Sequence, residues 1–91
     1  VKPEHLKAGW SRDKIVNAMA ELNVPCMQGS CSEVYLEKAF DNTPWRPKKR
    51  LPNAMELGET SLMMLVHPTL RLDEVQLMCD ALDKVLSKAT K

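Results

Sequence analysis

Two stretches of this chain place apolar side chains at helical spacing. In the first, Ile15, Met19 and Leu22, with Val16 beside them, make one stripe behind Ser11-Arg12-Asp13-Lys14. Ser11 can cap free amides and Asp13 suits the positive end of a helix dipole. The helix stops before Pro25, at Asn23, a residue that tolerates the left-handed conformation. In the second, Val75, Met78, Cys79, Leu82, Val85 and Leu86 form a stripe over about residues 72–88. Asp73 and Glu74 stand at its start, and Lys84 and Lys88 near its end.

Between these helices the pattern changes. Val24-Pro25-Cys26-Met27 predicts a short strand, and Gly29-Ser30-Cys31-Ser32 a turn. Glu33 to Phe40 reads as a short helix capped by Ser32, with Val34, Leu36 and Ala39 partly buried. Pro44 and Pro47 make residues 41–50 a loop. Leu51 to Gly58 fits a short helix with Pro52 in its first turn and Gly58 at its end. The unbroken apolar run Leu62-Met63-Met64-Leu65-Val66 predicts a strand covered on both faces and closed by Pro68. Residues 1–10 read as an extended entry, with Trp10 packed under the first helix.

Helices alternating with a few strands predict a small α/β (α+β) domain spanning residues 1–91, with helices packed on the strands. Two strands alone make a poor sheet. A third is therefore expected from elsewhere, with Val1 as its stump.

Composition sharpens this outline. The chain has 91 residues, 44% hydrophobic and 27% charged, but only 4% aromatic, so Met, Leu and Val must fill a thin core. A formal net charge of +1 gives no strong global field for nucleic acid or an anionic membrane. The basic run Arg46-Pro47-Lys48-Lys49-Arg50 is short and reads as a solvated loop, with Trp45 plugging that loop onto the core. No run approaches membrane-spanning length, and the first residues lack the layout of a signal peptide. A start without Met suggests a processed or truncated chain. Three cysteines without paired spacing argue against a disulfide scaffold and favour a reducing, cytoplasmic setting.

Candidate chemistry is sparse. Cys26, Cys31 and Cys79 contain no CxxC pair, so zinc is disfavoured. Cys31 with His67 lacks any nucleophile signature, and His67 reads as an ordinary strand-end histidine. The turn at Gly29, Ser30 and Cys31 could point amides at an anion. Arg12 could grip a carboxylate or phosphate, or equally form a helix-surface salt bridge. No dinucleotide loop, P-loop, triad or metal motif is present.

Three segments in order, "GWSRDKIVNAMAELNVPC", "GSCSEVYLEKAF" and "RLPNAMELGETSLMMLVHPTL", resemble the C-terminal end of the DegT/DnrJ/EryC1/StrS family of sugar aminotransferases. Arg12 heads the helix, Val24 opens the strand, Leu51-Pro52-Asn53-Ala54 starts the short helix, and Val66-His67-Pro68-Thr69-Leu70 closes the second strand, as in that family. Three positions depart from the family pattern. The Gly29–Tyr35 stretch replaces a histidine-containing segment, Arg71 stands where a capping Thr is usual, and Asn23 takes a Gly position. The resemblance implies a fold-type-I transaminase, homodimeric, with pyridoxal phosphate on a lysine of an N-terminal domain and glutamate donating its amino group to a nucleotide-linked keto-sugar. None of the chain's nine lysines lies in a segment resembling that lysine motif, so no catalytic residue and no bound cofactor are expected within residues 1–91. Gly29, Ser30 and Cys31, and more weakly Arg12, are then the residues expected near substrate or cofactor. The alternatives are a free-standing protein-interaction module and a nucleic-acid binder using the basic run.

Overall fold

The computed structural model describes all residues, Val1–Lys91. Helix α1 runs Arg12–Glu21, strand β1 Cys26–Gln28, helix α2 Pro52–Thr60, strand β2 Leu62–Met64 and helix α3 Leu72–Ala89. The two strands pair antiparallel, with Cys26 opposite Met64, Met27 opposite Met63 and Gln28 opposite Leu62. The result is an α+β domain in which α1 and α3 cover one face of a two-stranded sheet.

The α1 boundaries follow from local chemistry. The Ser11 side chain accepts from the Lys14 N–H at 3.2 Å. Asn23 leaves the helix at φ 57°, the left-handed turn that lets the chain reverse into β1. Ile15 and Met19 are fully buried against Val24, Val85 and Ala89. Trp10 packs at the edge of this cluster, with the Lys14 ammonium 5.0 Å from its ring centre.

The start of α3 is capped from one side only. Glu74 accepts from the Arg71 N–H at 2.8 Å, but an arginine side chain has no acceptor to offer in return. Arg71 pairs instead with Asp73. At the other end, Lys7 Nζ donates to the carbonyls of Ser87 and Lys88, satisfying groups that a helix C-terminus leaves open.

Several expectations are corrected. Residues 33–40 form two separate 3₁₀ turns, Val34–Leu36 and Lys38–Phe40, and Ser32 caps neither. Helix α2 passes through Gly58 and ends at Thr60. Strand β2 stops at Met64, because β1 offers only three residues to pair with. It is also not covered on both faces: Met63 is 41% exposed, beside its equally open partner Met27. Residues 3–5 form a 3₁₀ turn, not extended chain. Val1 adds no strand; its ammonium donates to the Thr60 carbonyl at 2.7 Å, and Leu6 makes an isolated bridge with Thr90. Trp45 does not plug a loop, being largely exposed. Cys79 and Val75 are exposed although both belong to the α3 stripe.

The last correction has a geometric cause. At about 1.5 Å per residue, α1 covers about 15 Å and α3 about 27 Å, so the first half of α3 overhangs the core. Its side chains Leu72, Val75 and Leu77 all face outward. The whole chain is a slab of 48 × 37 × 17 Å. Its radius of gyration is 16.3 Å, against about 12 Å for a compact chain of this length. Only 8 of 91 residues are buried. No helix is long and apolar enough to cross a membrane.

Exposed apolar side chains on this scale are expected to drive association. Sedimentation of the 91-residue chain should show the average mass rising above 10.3 kDa with concentration. A compact monomer throughout the range would count against it.

Candidate functional site

The largest concavity is an open cleft of about 710 Å³ between the end of β1 and helix α2. Gly29, Ser30 and Ser32 form one wall, and Leu51 to Ala54, at the start of α2, the other. Leu57, Leu62 and Met63 supply apolar surface, and Ser61 closes the base. Every polar side chain in the lining (Ser30, Ser32, Asn53 and Ser61) is neutral.

Backbone contact brings the walls together. The Gly29 N–H donates to the Ser61 carbonyl at 3.2 Å, extending the β1–β2 ladder by one step. A Cβ on Gly29 would lie 2.5 Å from the Ser61 Cβ, so the close approach requires glycine. Gly58 makes a similar approach to the Ser32 hydroxyl from within α2.

Gly29 and Ser30 therefore stand in the cleft. Cys31 does not line it; its exposed thiol lies 3.6 Å from a Glu37 carboxylate oxygen. Arg12 also lies outside the lining. Its Nη1 donates to the carbonyls of Gly58 and Ser61, each at 3.1 Å, and its Nε pairs with Asp13. The Arg12 side chain, 11% exposed, thus braces the junction of α2 and β2 behind the cleft, and the surface salt bridge forms as well. Ser32, Asn53, Leu57 and Ser61 were not legible as site residues, since they meet only through the tertiary fold. Pro52 at a helix start was the available pointer to that wall.

Beside the cleft, Glu33 accepts from both Arg50 Nε and Nη2 and from the Tyr35 hydroxyl. The Arg50 hydrogen bonds, then that of Tyr35, hold the Glu33 carboxyl at about 2, well below its ordinary value of 4.5. The Tyr35 phenol is pushed up, chiefly by desolvation. Arg46 donates to the carbonyls of Tyr35, Leu36 and Glu37 and pairs with Asp41. Two cations of the basic run are therefore committed to internal contacts.

A depressed carboxyl stabilises the fold above its unfolded pKa, and that contribution disappears as pH falls from about 4.5 to about 2. The urea midpoint of the wild-type chain should fall through this window more steeply than that of Glu33→Gln. Parallel curves for the two proteins would refute the pairing.

This fold and sequence are similar to those of an aminotransferase from Psychrobacter cryohalolentis of known X-ray structure. Identity is 56% over 96% of this chain, with a TM-score of 0.87. The chain spans 22% of the length of that aminotransferase. No protein-family model and no curated protein matches it.

Proposed function

We propose that these residues form the C-terminal small domain of an aminotransferase. The parent enzyme moves an amino group from glutamate to a nucleotide-linked keto-sugar, using pyridoxal phosphate held by an N-terminal domain. The carrying observation is the 56% identity to an aminotransferase across 96% of this chain. The 22% coverage of that protein leaves the greater part of such an enzyme to other residues.

The chemistry of the chain agrees with this division. Residues 1–91 do not fit the cofactor. All nine lysines are exposed, none lines the cleft, and the lining offers no cation for a phosphate. Pyridoxal phosphate supplies the electron sink for transamination, and its lysine and phosphate contacts would come from the rest of the parent. What this cleft offers is a neutral wall of three hydroxyls, one carboxamide and aliphatic carbon. Such a wall suits a hydroxyl-bearing ring rather than a charged group, because neutral hydrogen bonds satisfy sugar hydroxyls without burying charge. The open apolar surface from Met63 to Val66 and at the start of α3 is surface that a larger domain or a second subunit of a homodimer would cover. A cytoplasmic setting fits three free cysteines.

The test uses the parent protein loaded with cofactor. Incubation with ¹⁵N-glutamate and a nucleotide keto-sugar should place ¹⁵N on the sugar and release 2-oxoglutarate, both read by mass spectrometry. A parent that releases no 2-oxoglutarate is not a glutamate transaminase. Release without labelled sugar would retain the transaminase and reject the acceptor class.

A further inference from the structure

Beside the cleft, its two walls are also joined by a contact that none of the lining residues makes. Glu33 directly follows Ser32 of one wall, and Arg50 directly precedes Leu51 of the other. Their side chains meet in a two-point ion pair, Arg50 Nε at 2.9 Å from one carboxylate oxygen and Nη2 on the second. The pair closes the loop of residues 33–50 into a ring whose two ends are the cleft walls.

Tyr35 locks that ring to helix α2. Its hydroxyl donates to Glu33 at 2.7 Å and accepts from the Leu51 N–H at 2.8 Å. The direction is forced, since an ionised carboxylate can only accept and an amide N–H can only donate. Leu51 is the N-cap residue of α2, whose start has no side-chain cap. The far side of Tyr35 is fixed as well, because Arg46 Nε holds its carbonyl at 2.8 Å. Tyr35 is thus anchored at backbone and hydroxyl and hands that position to the first residue of the α2 wall.

We propose that Tyr35, within the Glu33–Tyr35–Arg50 clasp, is a positioning residue that sets the separation of the cleft walls and hence the fit of the amino-acceptor sugar. The proposal rests on the aminotransferase reading above. Tyr35 itself does not line the cleft and reaches the acceptor only through Leu51 and α2. Losing its hydroxyl leaves the Leu51 amide without its partner and frees the start of α2.

The experiment compares the full-length, cofactor-loaded parent with its Tyr35→Phe variant. The expected results are a rise of about tenfold in KM for the nucleotide keto-sugar and about tenfold faster amide exchange at Leu51, the scale of one lost hydrogen bond. The glutamate half-reaction, measured alone in single turnover, should stay within about twofold of wild type, since it makes no use of the acceptor wall. Arg50→Lys, which keeps the charge but not the two-point grip, should give an intermediate KM. A general loss of folding would instead lower both half-reactions together, which would overturn the proposal. Should Tyr35→Phe not accumulate as folded protein, Glu33→Gln carries the same comparison. An active wild type with an unchanged acceptor KM in the variant overturns the clasp and leaves the aminotransferase reading intact. A wild type with no transfer removes that reading and the clasp with it.

Discussion

Ile15→Ala is expected to abolish the cooperative unfolding transition of the 91-residue chain. Ile15 is fully buried at the centre of α1, where the core cluster joins α1, β1 and α3. Truncating a buried isoleucine to alanine costs about 2–5 kcal/mol through lost transfer energy and the cavity left behind. A domain of this size rarely has more than about 3–5 kcal/mol to lose. Here the core is thinner than usual, with 8 buried residues in a slab 17 Å thick. Circular dichroism on heating should show a sigmoid for wild type and a shallow slope for the variant. Leu77→Ala is the matched control. Leu77 is 59% exposed, so its removal should change stability by less than about 1 kcal/mol. A variant at Ile15 that melts within a few degrees of wild type would mean that the core is not where the burial places it.

Legibility in the sequence followed the range of the interactions. The α1 stripe was readable because its helical spacing, the Ser11 cap and the Asn23 turn toward Val24 are all local, although its other partners, Val85 and Ala89, are distant in sequence. The 33–40 segment misled for a physical reason. Glu37 is extended, at φ −62° and ψ 147°, and splits the segment into two short turns, while Arg46 gathers the carbonyls of Tyr35, Leu36 and Glu37 onto one side chain. A guanidinium about ten residues downstream cannot be weighed by local propensity. The same arginine had been read as part of a solvated basic loop, although its planar fork is what gathers three carbonyls. In α3 the apolar stripe was real, but its first half has nothing beneath it, because the shorter α1 ends before reaching Val75. At the site, Gly29 and Ser30 were readable as the break that follows the first strand. Asn53 and Ser61 were not, because the cleft exists only once β2 lies beside β1 and turns α2 toward that turn.

Gly29→Ala is expected to destabilise the chain by about 1–3 kcal/mol, the usual cost of forcing an extra carbon into a packed contact. The added Cβ would lie 2.5 Å from the Ser61 Cβ. Ser61 has little room to retreat, since its carbonyl is held on one side by the Gly29 N–H and on the other by Arg12 Nη1. Relief must come from parting the strand ends, which lowers the cleft base at the point where both walls meet. Gly58→Ala separates this explanation from a generic intolerance of glycine replacement. Its Cβ would lie 2.6 Å from the Ser32 Oγ, with the Ser32 Cβ next at 3.9 Å. A hydroxyl can swing away by a change of rotamer, and alanine within a helix gains about 1 kcal/mol over glycine. The Gly58 variant should therefore unfold in urea within about 1 kcal/mol of wild type, while the Gly29 variant falls clearly below it. Under the proposed function, the same pair should part on the parent's acceptor KM, raised for Gly29→Ala and little changed for Gly58→Ala. Equal losses in the two proteins would show that the Gly29–Ser61 contact does not define the base of the cleft.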